Sequence, residues 1–319
     1  MRAWQYTTYG GPDDMRVVDL PRPVPGTGQL LIRVRATSVN PIDWKMASGM
    51  FRPMVRTPFP YFPGYDVAGE VVERGPGAEA FAVGDRVYAR LDQVHGGANA
   101  ELCLVNLTVA ARVPDGLGWA EAAAIPLAGM TALQGLRDEG GMPLQGATGR
   151  VLVVGASGGV GTYAVQIARR AGAEVVGVCS GRNEALVREL GAHDVINYQS
   201  ESGVGRRAPY DIVLDCVGAE GFGVFKPHLQ RNGAFVTAFP VQRGTQWGLL
   251  TSRILPGPRC RYVRLRTNAA DLGLLSGMVQ EGALRSVLDH VYAFEELPQA
   301  HKDSIAGRAR GKIVVLGPA

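Results

Sequence analysis

VLVVGASGGVGTYAVQIARRAGAEVVGVCS, residues Val151 to Ser180, decides the fold of this 319-residue chain. An apolar run ends in a glycine-rich turn, a small-residue helical stretch follows, and a second apolar run closes the segment. Strand, turn, helix and strand in that order open a dinucleotide-binding unit, and a glycine fingerprint in this setting is far more specific than the glycines alone. Ala156 stands where the usual first glycine would be, while Gly158 and Gly161 keep the intervals that follow it. Gly158 is expected to let the backbone approach a pyrophosphate, and Gly161 to let the helix pack closely on the sheet. Ala156, Ser157, Gly158, Gly159, Val160 and Gly161 are therefore the candidate phosphate-binding turn. Aligned peptide dipoles at the start of a helix expected over Val160 to Ala171 favour negative charge there. Without a ligand, the same residues make a plain strand-to-helix turn.

Outward from this turn, short apolar runs alternate with helical stretches: EVVGVCS with NEALVRELGA, DVINY, DIVLDCVG with FGVFKPHLQR, then GAFVTAF. This alternation predicts an α/β domain whose doubly wound parallel sheet is covered on both faces. Before it, LLIRVRATSV and parts of YDVAGEVVERG and GDRVYAR alternate apolar with polar residues at period two, punctuated by proline and glycine, which predicts a β-rich domain with a bent or barrel-like sheet. The composition turns alanine-rich and helical near Trp119. The expected division is a discontinuous first domain, 1–122 with 268–319, around a nucleotide-binding domain, 123–267. After Thr267 a helix, a strand near VLDHVYAF, a helix and the strand GKIVVLG complete the first domain.

Composition excludes several classes. Hydrophobic residues make up 46% and charged residues 19%, as in a globular protein, and no stretch approaches the ~18 apolar residues of a membrane span. No secretory signal core appears, so a cytoplasmic protein without a membrane partner is the expectation. Cys103, Cys179, Cys216 and Cys260 lie far apart with no CxxC pair, which fits neither a zinc knuckle nor a disulfide framework. A net charge of +4 is too small to argue for nucleic acid. One basic cluster gathers Arg253, Arg259, Arg261, Arg264 and Arg266; Arg261, Arg264 and Arg266, interleaved with Val263 and Leu265, read as the wet face of a strand rather than a nucleic-acid patch.

The chain resembles the medium-chain dehydrogenase/reductase superfamily, and within it the zinc-independent quinone oxidoreductase group. The matching stretches are SVNPIDWKMASG (38–49), PFPYFPGYDVAGEV (58–71), VGDRVYA (83–89), GGANAEL (96–102), AAAIPLAGMTAL (122–133), GASGGVGTYAVQIA (155–168) and GRARGKIVV (307–315). The resemblance implies a GroES-like catalytic domain split around a Rossmann domain. In zinc-dependent relatives a cysteine ligand and a His-Glu pair stand where this chain has Asn40, and Tyr65 with Asp66. An amide, a phenol and a lone carboxylate make a poor zinc site, so no metal is expected. The cysteine-rich structural zinc loop is also missing, because 90–101 holds no cysteine.

An acid about 20 residues after the glycine turn would bind the ribose of NAD. EVVGVCS ends instead in Cys179 and Ser180, followed by Gly181, Arg182 and Asn183. A hydroxyl and a guanidinium both donate to a 2′-phosphate, so NADPH is the expected cofactor, and the resemblance adds Tyr198 as a third contact. The nearest acid, Glu184, is placed inside the next helix. Other candidate cofactor contacts are Thr131, expected near a helix start, Val217 and Gly218 after one strand, Ala238 and Phe239 after another, and Arg308 with Arg310 in the last loop.

For chemistry, the resemblance nominates SVNPIDWK, hence Asn40 and Lys45, with Asp43 read as structural. Lys45 is a donor to the oxygen on which charge develops, and Tyr65 is either a second proton donor or the aromatic that fills the vacated metal site. Trp44, Met50, Phe51, Tyr61 and Phe62 are candidates for an apolar wall suited to flat substrates. The reading is a zinc-independent NADPH-dependent reductase of quinones or α,β-unsaturated carbonyls. Its competitors are reduction of saturated ketones or aldehydes, and an NADPH-binding regulatory or structural protein with little turnover. A small-molecule substrate is the expected partner. Relatives often form homodimers through the edges of their Rossmann sheets, with GAFVTAFP (233–240) the candidate edge here.

Overall fold

The computed structural model describes residues 1–52, 55–93, 96–200 and 204–318. Two compact units make up the chain: Met1–Leu127 with Thr267–Gly282 and Ser286–Ala319, and Ala128–Arg266 with Ala283–Arg285. Ala122, the expected last residue of the first segment, falls inside the helix Trp119–Ala124. That helix packs on strands of the first unit, with Ala122, Ala123 and Ala124 fully enclosed, so the chain cannot leave the unit there.

In the first unit a seven-stranded sheet is built around the long strand Gln29–Val39, which pairs with Lys312–Leu316 on one side and with Asp66–Arg74 on the other. From Ile32 to Ala36 its residues alternate as period two demands, with Ile32, Val34 and Ala36 buried and Arg33 and Arg35 facing water, whereas Leu30 and Leu31 before this stretch and Thr37, Ser38 and Val39 after it are all buried. A register shift between Val34 and Ala36 bends the pairing with Asp66–Arg74. One core gathers Leu30, Ile32, Val71, Val87 and Val105; a second gathers Trp4, Tyr6, Val39, Tyr61, Phe294 and Ile313. Each fully buried aliphatic side chain stabilises the unit by roughly 1.5–3 kcal/mol. Where the long strand ends at Asn40, Pro41 opens the helix Pro41–Ala47, with its fixed φ suited to a first turn.

In the second unit six strands are all parallel, and numbered along the chain from Arg150–Val154 their order across the sheet is 3-2-1-4-5-6. This is the Rossmann order. The helix Gly159–Ala171 covers the central strands with Tyr163, Ala164, Val165, Ile167 and Ala168 buried.

Three local expectations fail. FGVFKPHLQR forms only the short helix Phe222–Phe225 and a 3-10 turn, Lys226–His228, before a strand begins at Leu229; Pro227 cannot continue an α-helical ladder. That strand, Leu229–Thr237, lies between two others, so GAFVTAFP is interior and the edge is Arg259–Tyr262. The arginine cluster is therefore not one strand face, because Arg264 and Arg266 follow the strand's end at Tyr262. Arg266 pairs with Asp138 at 2.8 Å, Arg261 with Glu139 at 3.7 Å, and Arg264 lies over the Tyr262 ring.

Candidate functional site

The dinucleotide side begins at Gly155, which takes the left-handed conformation (φ +76°) and so makes the tight turn the missing first glycine would have made. Its amide and that of Ala156 both donate to Val178 O, at 3.0 and 2.9 Å. Gly161 is demanded by packing, since a Cβ there would lie 2.1 Å from Gly155 O. Gly158 is not, for its φ of −85° suits any residue and an added Cβ would meet nothing closer than 3.4 Å. The open space at Gly158 and a helix start with no side-chain cap leave room and N–H donors for a phosphate group beside Ser157, Gly159 and Val160.

Asn183 ties this turn to the end of the next strand. Buried at the close of the 3-10 turn Gly181–Asn183, it donates to Ser157 Oγ at 2.9 Å and to Ser180 Oγ at 3.3 Å. Arg182 beside it is exposed. Tyr198 follows the neighbouring strand, hangs by its amide on Cys179 O at 3.2 Å and is 64% exposed, so it is not an aromatic packed on the sheet. Ser180, Arg182 and Tyr198 thus share the carboxyl ends of two adjacent strands. Glu184 opens the helix Glu184–Glu189 and pairs with Arg188 at 3.6 Å.

Across the switch point the sequence reading missed Asp215. Enclosed at the end of the strand Tyr210–Asp215, its carboxylate accepts from Val217 N at 3.0 Å, Gly218 N at 2.9 Å and Thr237 Oγ1 at 3.1 Å. Thr237 Oγ1 accepts from Phe239 N at 3.0 Å, and Ala238 N donates to Asp215 O at 2.9 Å. One carboxylate therefore pins both loops that carry Val217, Gly218, Ala238 and Phe239. The available signal was a polar residue closing each apolar run, DIVLD and GAFVT. Thr131 is buried in the interior of the helix Pro126–Gln134 rather than near its start, because Pro126 opens that helix. Arg308 and Arg310 lie exposed on the loop before Lys312–Leu316, in the first unit.

The chemical candidates belong to the first unit. Asp43, fully buried, accepts from Asn40 N at 2.7 Å and Gly64 N at 3.2 Å, which fixes the helix Pro41–Ala47 against the turn that carries Tyr65. Burial raises its carboxyl to about 7. Asn40 is fully engaged: its Oδ1 accepts from Lys312 Nζ at 2.6 Å, and its Nδ2 donates to Asp66 Oδ2 at 2.8 Å and Ser38 O at 3.3 Å. Lys312, unmarked by the sequence reading, is 3% exposed and lies 3.6 Å from Asp66 Oδ2. Ser38 Oγ and Leu127 N complete the shell of Asp66 at 2.7 and 2.8 Å. This buried pair is matched in charge and saturated in hydrogen bonds.

Zinc does not fit these residues. Asn40 and Asp66 already hold an ammonium, and the Tyr65 phenol is pushed up to about 12 by burial and by the Asp43 charge, far from the deprotonated state a metal ligand needs. Among the described residues no three His, Cys, Asp or Glu side chains gather as a metal site.

Tyr65 is 4% exposed, bonds to Tyr61, and carries the Arg90 guanidinium 5.4 Å from its ring centroid. Lys45 keeps accessible surface, with Nζ 5.1 Å from the Trp44 ring centroid; burial lowers its amine to about 8. The expected apolar wall is only partly assembled: Tyr61 is fully buried and Phe51 packs on the same core, so neither is a free wall, whereas Trp44 and Phe62 stay partly exposed and Met50 is exposed.

Comparison with known proteins agrees with this architecture. A family described as "Alcohol dehydrogenase GroES-like domain" matches residues 26–134, and one described as "Zinc-binding dehydrogenase" matches 190–315. The chloroplast envelope quinone oxidoreductase homolog of Arabidopsis thaliana is 38% identical, over 99% of this chain and 98% of its own. Among solved structures, the quinone oxidoreductase of Coxiella burnetii superposes with a TM-score of 0.86 at 30% identity, covering 99% of both chains. A mycobacterial protein complexed with NADPH gives 0.81 at 27% identity, again covering 99% of both. No helix among the described residues is long and apolar enough to cross a membrane. A GroES-like unit, a Rossmann sheet and these relatives together place the chain in the quinone oxidoreductase group of the medium-chain dehydrogenase/reductase superfamily, as an NAD(P)H-dependent oxidoreductase.

Proposed function

We propose that this protein is a zinc-independent, NADPH-dependent reductase of quinones or α,β-unsaturated carbonyls. The carrying observation is that the place of the metal ligands is closed by the Lys312–Asn40–Asp66 group, while Lys45, one helix turn beyond Asn40, remains an accessible cation. NADPH, when bound, supplies a hydride. Gly158 leaves the pyrophosphate its space, and Ser180, Arg182 and Tyr198 supply donors to the 2′-phosphate, with Asn183 holding Ser180 in place. Val217, Gly218, Ala238, Phe239 and Thr131 are assigned to the rest of the cofactor, as are Arg308 and Arg310.

Lys45 is assigned to the acceptor oxygen, where an ammonium steadies developing negative charge. Asn40 is a positioning residue, since its amide is spent on Lys312, Asp66 and Ser38. Tyr65, nearly enclosed, is likewise assigned a positioning role. Following NADPH oxidation with a quinone, an enone and a saturated ketone tests the reading. Turnover with the first two and little with the third is expected. Turnover of the ketone alone would make it a carbonyl reductase, and tight NADPH binding without turnover of any acceptor would make it a binding protein.

A further inference from the structure

Arg90 ends the strand Arg86–Arg90 and pairs with Asp66 across the sheet, and the next amide, Leu91 N, donates to Tyr65 O at 2.7 Å. Its guanidinium is thereby held over the Tyr65 ring. Five N–H groups radiate from a guanidinium. In Arg90, Nη1 donates to Thr267 Oγ1 and, at 3.4 Å, to Leu91 O, while Nε is buried with no hydrogen-bond partner among the described residues. Among the described residues it forms no ion pair. Asp66, Asp43 and Asp92 act on it only at longer range, and the first of these is already committed to Lys312. The side chain as a whole is partly exposed. A largely desolvated cation with unspent donors is costly to the fold unless an anion meets it. The remaining nitrogen, Nη2, donates to nothing among the described residues, and a carboxylate can accept from it with charge assistance.

We propose that Arg90, with the Tyr65 ring as its platform, anchors a carboxylate carried by the substrate, so that the acceptors of this reductase are enone acids. The inference rests on the reductase reading above. In the reaction, hydride from NADPH forms the new C–H bond at the β-carbon, the C=C electron pair moves to the carbonyl oxygen as enolate, and a proton then gives the saturated ketone and leaves NADP⁺. The carboxylate is a handle and is not altered.

The test uses trans-6-oxohept-4-enoic acid and its methyl ester as paired acceptors, with a simple quinone as the control for reductase activity. The parent should favour the acid over the ester in kcat/KM by about tenfold or more, chiefly through KM, as expected for one charge-assisted contact. In Arg90→Gln that ratio should fall to near one, and in Arg90→Lys, which keeps the charge without the guanidinium, it should be intermediate. A second readout needs no turnover: the product analogue 6-oxoheptanoic acid should raise the thermal midpoint of the parent and not of Arg90→Gln. An acid-to-ester ratio near one in the parent, or one that Arg90→Gln leaves unchanged, overturns the inference while the reductase reading stands. Failure of acid, ester and quinone alike overturns both.

Discussion

Lys45 and Lys312 show how one residue type meets two different environments. Lys312 is saturated by Asn40, Val39 O and Asp66; burial lowers its amine, and the charges of Asp66 and Asp43 offset this only in part. For Lys45, burial lowers the amine to about 8. The sign follows directly. Below that pH the side chain is an ammonium, which in the proposed role would steady negative charge on an acceptor, and above it the neutral amine would do so poorly. For an enone acceptor kcat/KM should therefore fall as pH rises through about 8. Lys45→Met should lose that limb and about 10²- to 10³-fold in turnover, the usual loss for one oxyanion donor. A Lys45→Met enzyme within threefold of the parent, with the alkaline limb intact, would assign the limb to another group. Lys45 was nominated by the family resemblance of SVNPIDWK, and the structure places it on the helix Pro41–Ala47 that begins after Asn40. The partners of Asn40 were not legible in the sequence, since Lys312 and Asp66 reach it from distant strands.

At the scale of elements, the glycine turn separates two demands that look alike in sequence. Gly161→Ala would drive a Cβ into the backbone oxygen of Gly155, which cannot yield, and should cost ~1–3 kcal/mol or more in urea unfolding. Gly158→Ala should leave the unfolding midpoint near that of the parent, because its Cβ meets nothing closer than Gly155 O at 3.4 Å, and should weaken NADPH binding if the phosphates sit at this turn as proposed. Equal loss of stability in both, or unchanged NADPH affinity in Gly158→Ala, would refute the division. Periodicity identified the long strands and the helix Gly159–Ala171, but not where helices break. The alanine-rich stretch splits at Ile125, after which Pro126 starts a new helix, and FGVFKPHLQR gives way to strand at Leu229. Both breaks fall beside proline, whose missing N–H ends a ladder more firmly than the surrounding side chains favour one.

For the whole molecule, a cofactor that binds only the folded chain stabilises it by mass action, about 2.7 kcal/mol at a hundredfold excess over Kd. NADPH should therefore raise the thermal midpoint more than NADH at equal concentration. Arg182→Ala should shrink the NADPH shift and leave the NADH shift nearly as it was; equal losses for both would remove Arg182 from the 2′-phosphate. What the sequence determined alone were the features carried by neighbours along the chain: the strand-turn-helix of the Rossmann unit, the alternation of the β-rich unit, the absence of thiolate and imidazole at the metal positions, and Ser180 with Arg182 in place of an acid. What only the tertiary structure decided were features made by residues far apart in sequence. Asp215 clasps two loops, Asn183 ties Ser157 to Ser180, and Lys312 from the last strand closes the place of the metal. The strand order likewise moved the sheet edge to Arg259–Tyr262. The physical reason is that propensity and periodicity act over a few residues, whereas a buried charge or amide must find its partners wherever the fold brings them.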